Sequence, residues 1–74
     1  MKILLADDEV SIQKLISGLL EGEGHECVCV EDGTDALEAF EGNAFDLVIL
    51  DVMMPRMDGF ATCRELRTRG VTVP

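Results

Sequence analysis

Three times in succession a short apolar run gives way to apolar residues repeating at helical spacing, and this alternation constrains the fold more than any other feature. Lys2–Ala6 (KILLA) is followed by Ile12, Leu15, Ile16, Leu19 and Leu20, an i, i+3, i+4, i+7, i+8 series that marks one face of a helix ended by Gly22 and Gly24. Cys27–Val30 (CVCV) is too short for a helix, stops at Asp32-Gly33, and precedes Ala36, Leu37 and Phe40 at helical spacing up to Gly42-Asn43. Phe45–Leu50 (FDLVIL) is the third run; a loop holding Pro55 and Gly59 leads to Phe60, Cys63 and Leu66 at helical spacing, with a stop at Gly70. Val71–Pro74 (VTVP) reads as the approach to a fourth strand. A strand–helix–strand crossover is right-handed and returns the chain to the same end of the sheet, so three such units predict a parallel sheet covered by helices on both faces. The 74 residues allow one domain, with no linker and no low-complexity segment.

Composition removes several classes of function. With 47% hydrophobic and 28% charged residues the chain is globular, and no apolar run approaches the ~20 residues of a membrane span. The opening MKILLADDE has one Lys and four apolar residues before acids begin, too few for a secretory signal, so the expected location is the cytoplasm. Fifteen acids against six bases disfavour direct nucleic-acid binding and favour cations or basic partners, although most of that excess reads as a solvated surface. Cys27, Cys29 and Cys63 are odd in number and lack both C-x-x-C spacing and a His cluster beside His25, so they support neither a disulfide framework nor zinc. They are expected to act as small apolar side chains in a reducing compartment.

The acids at the strand ends are harder to explain by packing. Leu47–Leu50 runs straight into Asp51, where a core-bound lone carboxylate would be costly. Asp7 and Asp8 follow directly on the first strand, and in an open parallel sheet all strands share one carboxyl end. In the doubly wound order that sets strand one between strands two and three, strands one and three are neighbours roughly 5 Å apart. The three carboxylates then converge at a crevice mouth, where they repel one another unless a cation joins them; a hard, oxygen-seeking Mg²⁺ is the usual solution. Taken singly, Asp8 and Asp58 could each be a helix N-cap and Asp51 a strand-end acid facing water. For Asp58, ahead of Gly59 and Phe60, the turn-plus-cap reading is kept. For Asp7, Asp8 and Asp51 it is not, because capping does not account for acids at two separate strand ends with a doublet at one. Met53, Met54 and Met57 are read as flexible gap-fillers around the loop.

The motifs LLADDE at the first strand end, EDGTDALEAF in the second unit and VILDVMMPRMDG at the third strand end resemble the receiver domain of bacterial two-component response regulators, in order and spacing along nearly the whole chain. The resemblance implies an α/β, flavodoxin-like (CheY-like), doubly wound parallel sheet, here limited to three strand–helix units in the order 2-1-3. It also implies Mg²⁺ binding and phosphorylation of one aspartate by a sensor histidine kinase or phosphotransfer protein. By position, Asp51 corresponds to the phosphoacceptor, Asp8 to a direct Mg²⁺ ligand, and Asp7 to a second acid acting mainly through metal-bound water. Met53 corresponds to the residue whose backbone carbonyl reaches the metal, Pro55 shapes the loop, and Asp58-Gly59 starts the third helix.

Receivers also place a Ser or Thr at the end of a fourth strand and a Lys at the end of a fifth. Residues 1–74 contain neither position, and Lys14 and Thr72 cannot stand in for them. The chain is therefore expected to be an incomplete receiver, lacking strand four to helix five, with phosphotransfer impaired. Two other readings stay open. A self-associating structural fragment would pair the open edge of the third strand and its bare apolar faces with another chain. An aspartate-nucleophile phosphohydrolase would need a general acid two residues after the nucleophile, where this chain has Met53.

Overall fold

The computed structural model describes all 74 residues. In chain order the elements are β1 (Lys2–Ala6), α1 (Val10–Gly22), β2 (Glu26–Val30), α2 (Gly33–Phe40), β3 (Leu47–Leu50) and α3 (Gly59–Thr68). The strands are all parallel in the order β2-β1-β3, with Leu4 opposite both Val28 and Val48. The sheet is parallel as the strand–helix alternation predicts, and it has the doubly wound order that the resemblance implies. From β1 to β2 the chain moves one way across the sheet and from β2 to β3 it moves back. Two right-handed crossovers in opposite directions put α1 on one face and α2 on the other.

The central strand forms the core. Ile3, Leu4, Leu5 and Ala6 are all fully buried, which is why β1 is a continuous apolar run and not an alternating one. Leu4 and Ala6 pack with Ala36 and Phe45, flanked by Val28, Val30, Val48 and Leu50 from the neighbouring strands. Ile3 and Leu5 point to the α1 side. There the cover is thin. No residue of α1 is buried, and of its five-residue apolar stripe Ile12, Ile16 and Leu20 are half-buried while Leu15 and Leu19 face solvent. α3 packs beside α2. No helix is long and apolar enough to cross a membrane.

Local differences from the sequence reading have physical causes. The third strand begins at Leu47, not Phe45: the Phe45 ring turns into the core edge-on to Phe40, with centroids 5.1 Å apart, and the Asp46 side chain accepts the Lys2 N–H at 2.8 Å. Val71–Pro74 forms no strand, yet it does not leave the β3 edge wholly open. Arg67 Nη1 donates to the carbonyls of Val71 and Val73 at 2.9 Å each, and the Val48 N–H donates to the Pro74 carbonyl at 2.9 Å. The cysteines are free, but Cys29 and Cys63 are exposed and not packed away as small apolar side chains. Cys27 is half-buried, and burial together with the neighbouring Cys29 pushes its thiol up to about 11.

Candidate functional site

The sheet's hydrogen-bond ladder continues one residue past each of the two acid-bearing strands. The Asp7 N–H donates to the Val30 carbonyl at 3.0 Å, and the Asp51 N–H donates to the Ala6 carbonyl at 2.9 Å. Both acids are therefore carried on sheet backbone. Ligand oxygens of Asp7, Asp8 and Asp51 lie within 4.8 Å of one another. Asp7 is buried at the edge of the core, Asp51 is half-buried and Asp8 is exposed. The apolar run of β3 thus delivers Asp51 to the sheet's carboxyl edge and not into the core.

Each acid is left with a different degree of freedom. Asp7 Oδ1 accepts the Glu9 N–H at 2.9 Å, which turns the chain into α1. Gln13 reaches back from α1, and its Nε2 donates to the carbonyls of Asp7 at 2.5 Å and Val30 at 2.9 Å, tying two strand ends together. The N-cap of α1 is Glu9, whose side chain makes no capping bond, so Asp8 is not used as a cap. It lines an open cavity of about 380 Å³ with Met53, Met54, Pro55 and Asp58. Asp58 is committed elsewhere: its carboxylate accepts the Ala61 N–H at 2.8 Å and caps α3, as the Asp-Gly turn signal implies.

The loop between Asp51 and α3 is shaped by close backbone contact. At Gly59 a Cβ would stand 2.2 Å from the Asp51 carbonyl oxygen and 3.1 Å from Val52 Cα, so only glycine lets α3 start directly against the Asp51 backbone. The methionines divide. Met54 packs against the core cluster and Met57 is half-buried, whereas Met53 is 77% exposed and fills no gap. Met53 lines the open cavity together with Asp8.

Sequence reasoning missed Gln13, Asp32 and Arg56. Asp32 is 4% exposed and caps α2 through the Asp35 N–H at 2.9 Å. Its Asp-Gly pair ahead of a helical series is a legible cap signal. Arg56 Nε donates to the other Asp32 oxygen at 2.6 Å, a partner 24 residues away that no local pattern announces. The Asp35 N–H first, and then the Arg56 guanidinium, outweigh burial and hold the Asp32 carboxyl below its ordinary range.

The donor set at the strand ends suits one kind of ion. An octahedral hard cation with metal–oxygen bonds of ~2.1 Å spaces its ligand oxygens about 3.0 Å apart in cis and 4.2 Å in trans. Three carboxylate oxygens within 4.8 Å of one another, with an open cavity on one side, lie near that span, so small side-chain rotations suffice to bring them around one cation. An all-oxygen set of this kind is hard, suited to magnesium and not to thiophilic metals.

Comparison with known proteins gives a consistent result. The family model of the response regulator receiver domain matches residues 3–74. The chain is 47% identical over 66 residues to a probable transcriptional regulator, ycf27, of Cyanophora paradoxa, covering 89% of this chain and 28% of the relative. It is 41% identical over 73 residues to the alkaline phosphatase synthesis transcriptional regulatory protein PhoP of Bacillus subtilis, covering 99% of this chain and 30% of that protein. It therefore spans less than a third of the length of these curated relatives. Among solved structures, the receiver domain of the Francisella response regulator 1452 superposes with a TM-score of 0.95 at 33% identity, over 99% of this chain and 60% of that one. The response regulator TrrA of Thermotoga maritima, solved with Mg²⁺ and BeF, superposes at 0.88 with 40% identity, over 92% of this chain and 59% of that one. TrrA in complex with the histidine kinase ThkA superposes at 0.90 with 38% identity, over 97% and 62%. Because the match runs through all six elements in both sequence and structure, the chain belongs to the response regulator receiver domain family.

Proposed function

We propose that Asp51 accepts a phosphoryl group from the phosphohistidine of a sensor kinase or phosphotransfer protein. In this reading Asp8, Asp51 and the Met53 carbonyl hold Mg²⁺, and Asp7 acts through metal-bound water. The observation that carries the reading is the convergence of three carboxylates at the ends of two adjacent parallel strands. The TrrA structures, one with Mg²⁺ and BeF and one with a histidine kinase, support it by analogy. Residues 1–74 supply the three strand–helix units of a receiver that carry these acids, and the activity and output of any longer protein are part of the proposal.

A carboxylate oxygen of Asp51 attacks phosphorus as the P–N bond breaks, and the bonding electron pair returns to the imidazole, which takes up a proton and leaves neutral. Mg²⁺ held by Asp8, Asp51 and the Met53 carbonyl would neutralise the charge on the phosphoryl oxygens. The chain positions the nucleophile: the ladder bond from Asp51 to Ala6 fixes its backbone, and Gly59 against its carbonyl fixes the far side. The product is an acyl phosphate carrying about two negative charges at the sheet edge, enough to bias a nearby two-state element. At most the domain catalyses its own phosphorylation and dephosphorylation.

The test is incubation with acetyl phosphate and Mg²⁺ followed by intact mass and peptide mapping. One added phosphoryl group on Asp51, lost in Asp51→Asn, is the expected result. A phosphoryl group on Asp7 or Asp8, or undiminished labelling of Asp51→Asn, overturns the assignment. A second reading, self-association, is favoured by the exposed Leu15, Leu19 and Phe60. It predicts a dimer or larger species in analytical ultracentrifugation at micromolar concentration, and a monomer with a cooperative thermal transition refutes it.

A further inference from the structure

The loop Val52–Asp58 carries Met53; Met54 packs against the core cluster and the Gly59 N–H donates to the Val52 carbonyl at 3.1 Å, but between them the loop has few contacts of its own. Inside it the Met57 N–H donates to the Pro55 carbonyl at 2.6 Å, and the Met53 N–H reaches Asp51 Oδ1 only at 3.4 Å. Its middle residue, Arg56, has φ 63°, the left-handed region that side chains bearing a Cβ enter at a cost. Such a conformation persists where surrounding contacts hold it. At Arg56 those contacts come from the start of α2. Nε donates to Asp32 Oδ2 at 2.6 Å, Nη2 pairs with the same oxygen, and Nη2 also reaches Asp35 Oδ1 at 3.4 Å.

Asp32 is a firm anchor because its two oxygens do separate work. One is bound to the α2 cap N–H, and the other is left for Arg56. α2 itself is seated in the core through Ala36 and Leu37. Beside the ion pair, the Gly33 N–H donates to the Met57 carbonyl at 3.2 Å, so the helix start meets the loop at two adjacent points. Arg56 remains 61% exposed in its side chain and packs no core, so its place is not explained by burial. The planar fork of an arginine suits two neighbouring carboxylates in a way that a lysine ammonium does not.

We propose that Arg56 is a positioning residue: by gripping Asp32 at the start of α2 it fixes the loop that follows Asp51, and through the loop it sets the Met53 carbonyl in register with Asp8 and Asp51. The inference rests on the reading of those acids as a cation site. Arg56 touches neither the cation nor the phosphoryl group.

The experiment uses the ¹⁵N-labelled chain with Arg56→Gln, Arg56→Lys and Arg56→Gly. Order parameters of residues 52–58 are measured without metal, and the Mg²⁺ dissociation constant is read from the Asp8 and Met53 amide shifts. Arg56→Gln is expected to drop the loop order parameters below about 0.6. It should also weaken Mg²⁺ about tenfold, the low end of what losing an outer-shell partner costs a metal site. Arg56→Lys should recover part of both. Arg56→Gly deletes the guanidinium while relieving the left-handed backbone, which separates loss of the ion pair from backbone strain, and it should show the same loose loop and weak binding. Unchanged loop order and unchanged Mg²⁺ affinity in Arg56→Gly overturn the proposal, as does a lowered urea midpoint with unchanged affinity. Absence of Mg²⁺ shifts in the unmodified chain overturns the cation reading and this inference with it, whereas shifts with the same midpoint in the unmodified chain and Arg56→Gly overturn this inference alone.

Discussion

Adding one methyl group at Gly59 tests whether the start of α3 is truly seated on the Asp51 backbone. In Gly59→Ala the new Cβ would stand 2.2 Å from the Asp51 carbonyl oxygen, against an ordinary contact of 3.4 Å or more, so something must yield by 3.4 − 2.2 = 1.2 Å. The atoms in the way are backbone: the Asp51 oxygen and carbon and the Val52 Cα. They cannot rotate aside as a side chain would. Overpacking of this kind costs about 1–3 kcal/mol. Against it stands the helix-propensity gain of Gly to Ala, about 1 kcal/mol in a helix interior and less at the first position of α3. The clash wins, and the net loss is about 1–2 kcal/mol. For a domain of this size that lowers Tm by about 5–15 °C.

Gly18 supplies the internal control. It lies inside α1, and an added methyl there would meet nothing within 4 Å, so Gly18→Ala should gain about 0.5–1 kcal/mol from propensity alone. The assay is urea unfolding of both variants with midpoints compared at constant m. Gly59→Ala should also shift the Asp51 amide resonance, because relief of the clash displaces that backbone. A Gly59→Ala protein as stable as the unmodified chain, or stabilised like Gly18→Ala, would refute the reasoning.

Asp32 makes stability depend on acid. Its folded pKa lies below the ordinary 3.8, so its contribution is present above that value and is lost as pH falls through the lower folded value. Asp32→Asn should flatten the stability profile below pH 3.8, and an unchanged profile would contradict the assignment. Cys27, with its thiol raised to about 11, should be the slowest of the three cysteines toward iodoacetamide. The lower thiolate fraction, partly offset by higher nucleophilicity, makes it about tenfold slower than an ordinary thiol; peptide mass mapping of a time course checks this. Arg67→Ala should release Val71–Pro74 from β3 and raise amide exchange at Val48, whose N–H is otherwise held by the Pro74 carbonyl.

Much of this protein is written in short-range pattern. The burial of β1 on both faces follows from four consecutive apolar residues, Ile3 to Ala6, which no half-exposed strand would need. Right-handed crossovers leave few ways to place three parallel units, and the family resemblance of the motifs selects among them the order β2-β1-β3 that the structure has. The meeting of Asp7, Asp8 and Asp51 follows in turn, since they occupy the carboxyl ends of neighbouring strands. Asp58 declared itself as a cap because Asp-Gly before a helical series is a local signal, readable without knowing what surrounds it.

Only the tertiary structure could decide the rest, because the deciding partners are distant in sequence. Arg56 finds Asp32 across 24 residues and Gln13 finds the Val30 carbonyl across 17, with no periodicity to forecast either. Asp8 had the sequence position of a cap, a reading the acids at two strand ends already argued against, but that Glu9 takes the cap position and Asp8 lines the cavity is seen only in the structure. The third strand's edge looked bare from Leu47–Leu50, yet the reach of Arg67 from α3 folds the chain's last residues back toward it. Periodicity fixes which face of an element is apolar; which polar groups then meet depends on how the finished layers stack, and no window of neighbouring residues contains that information.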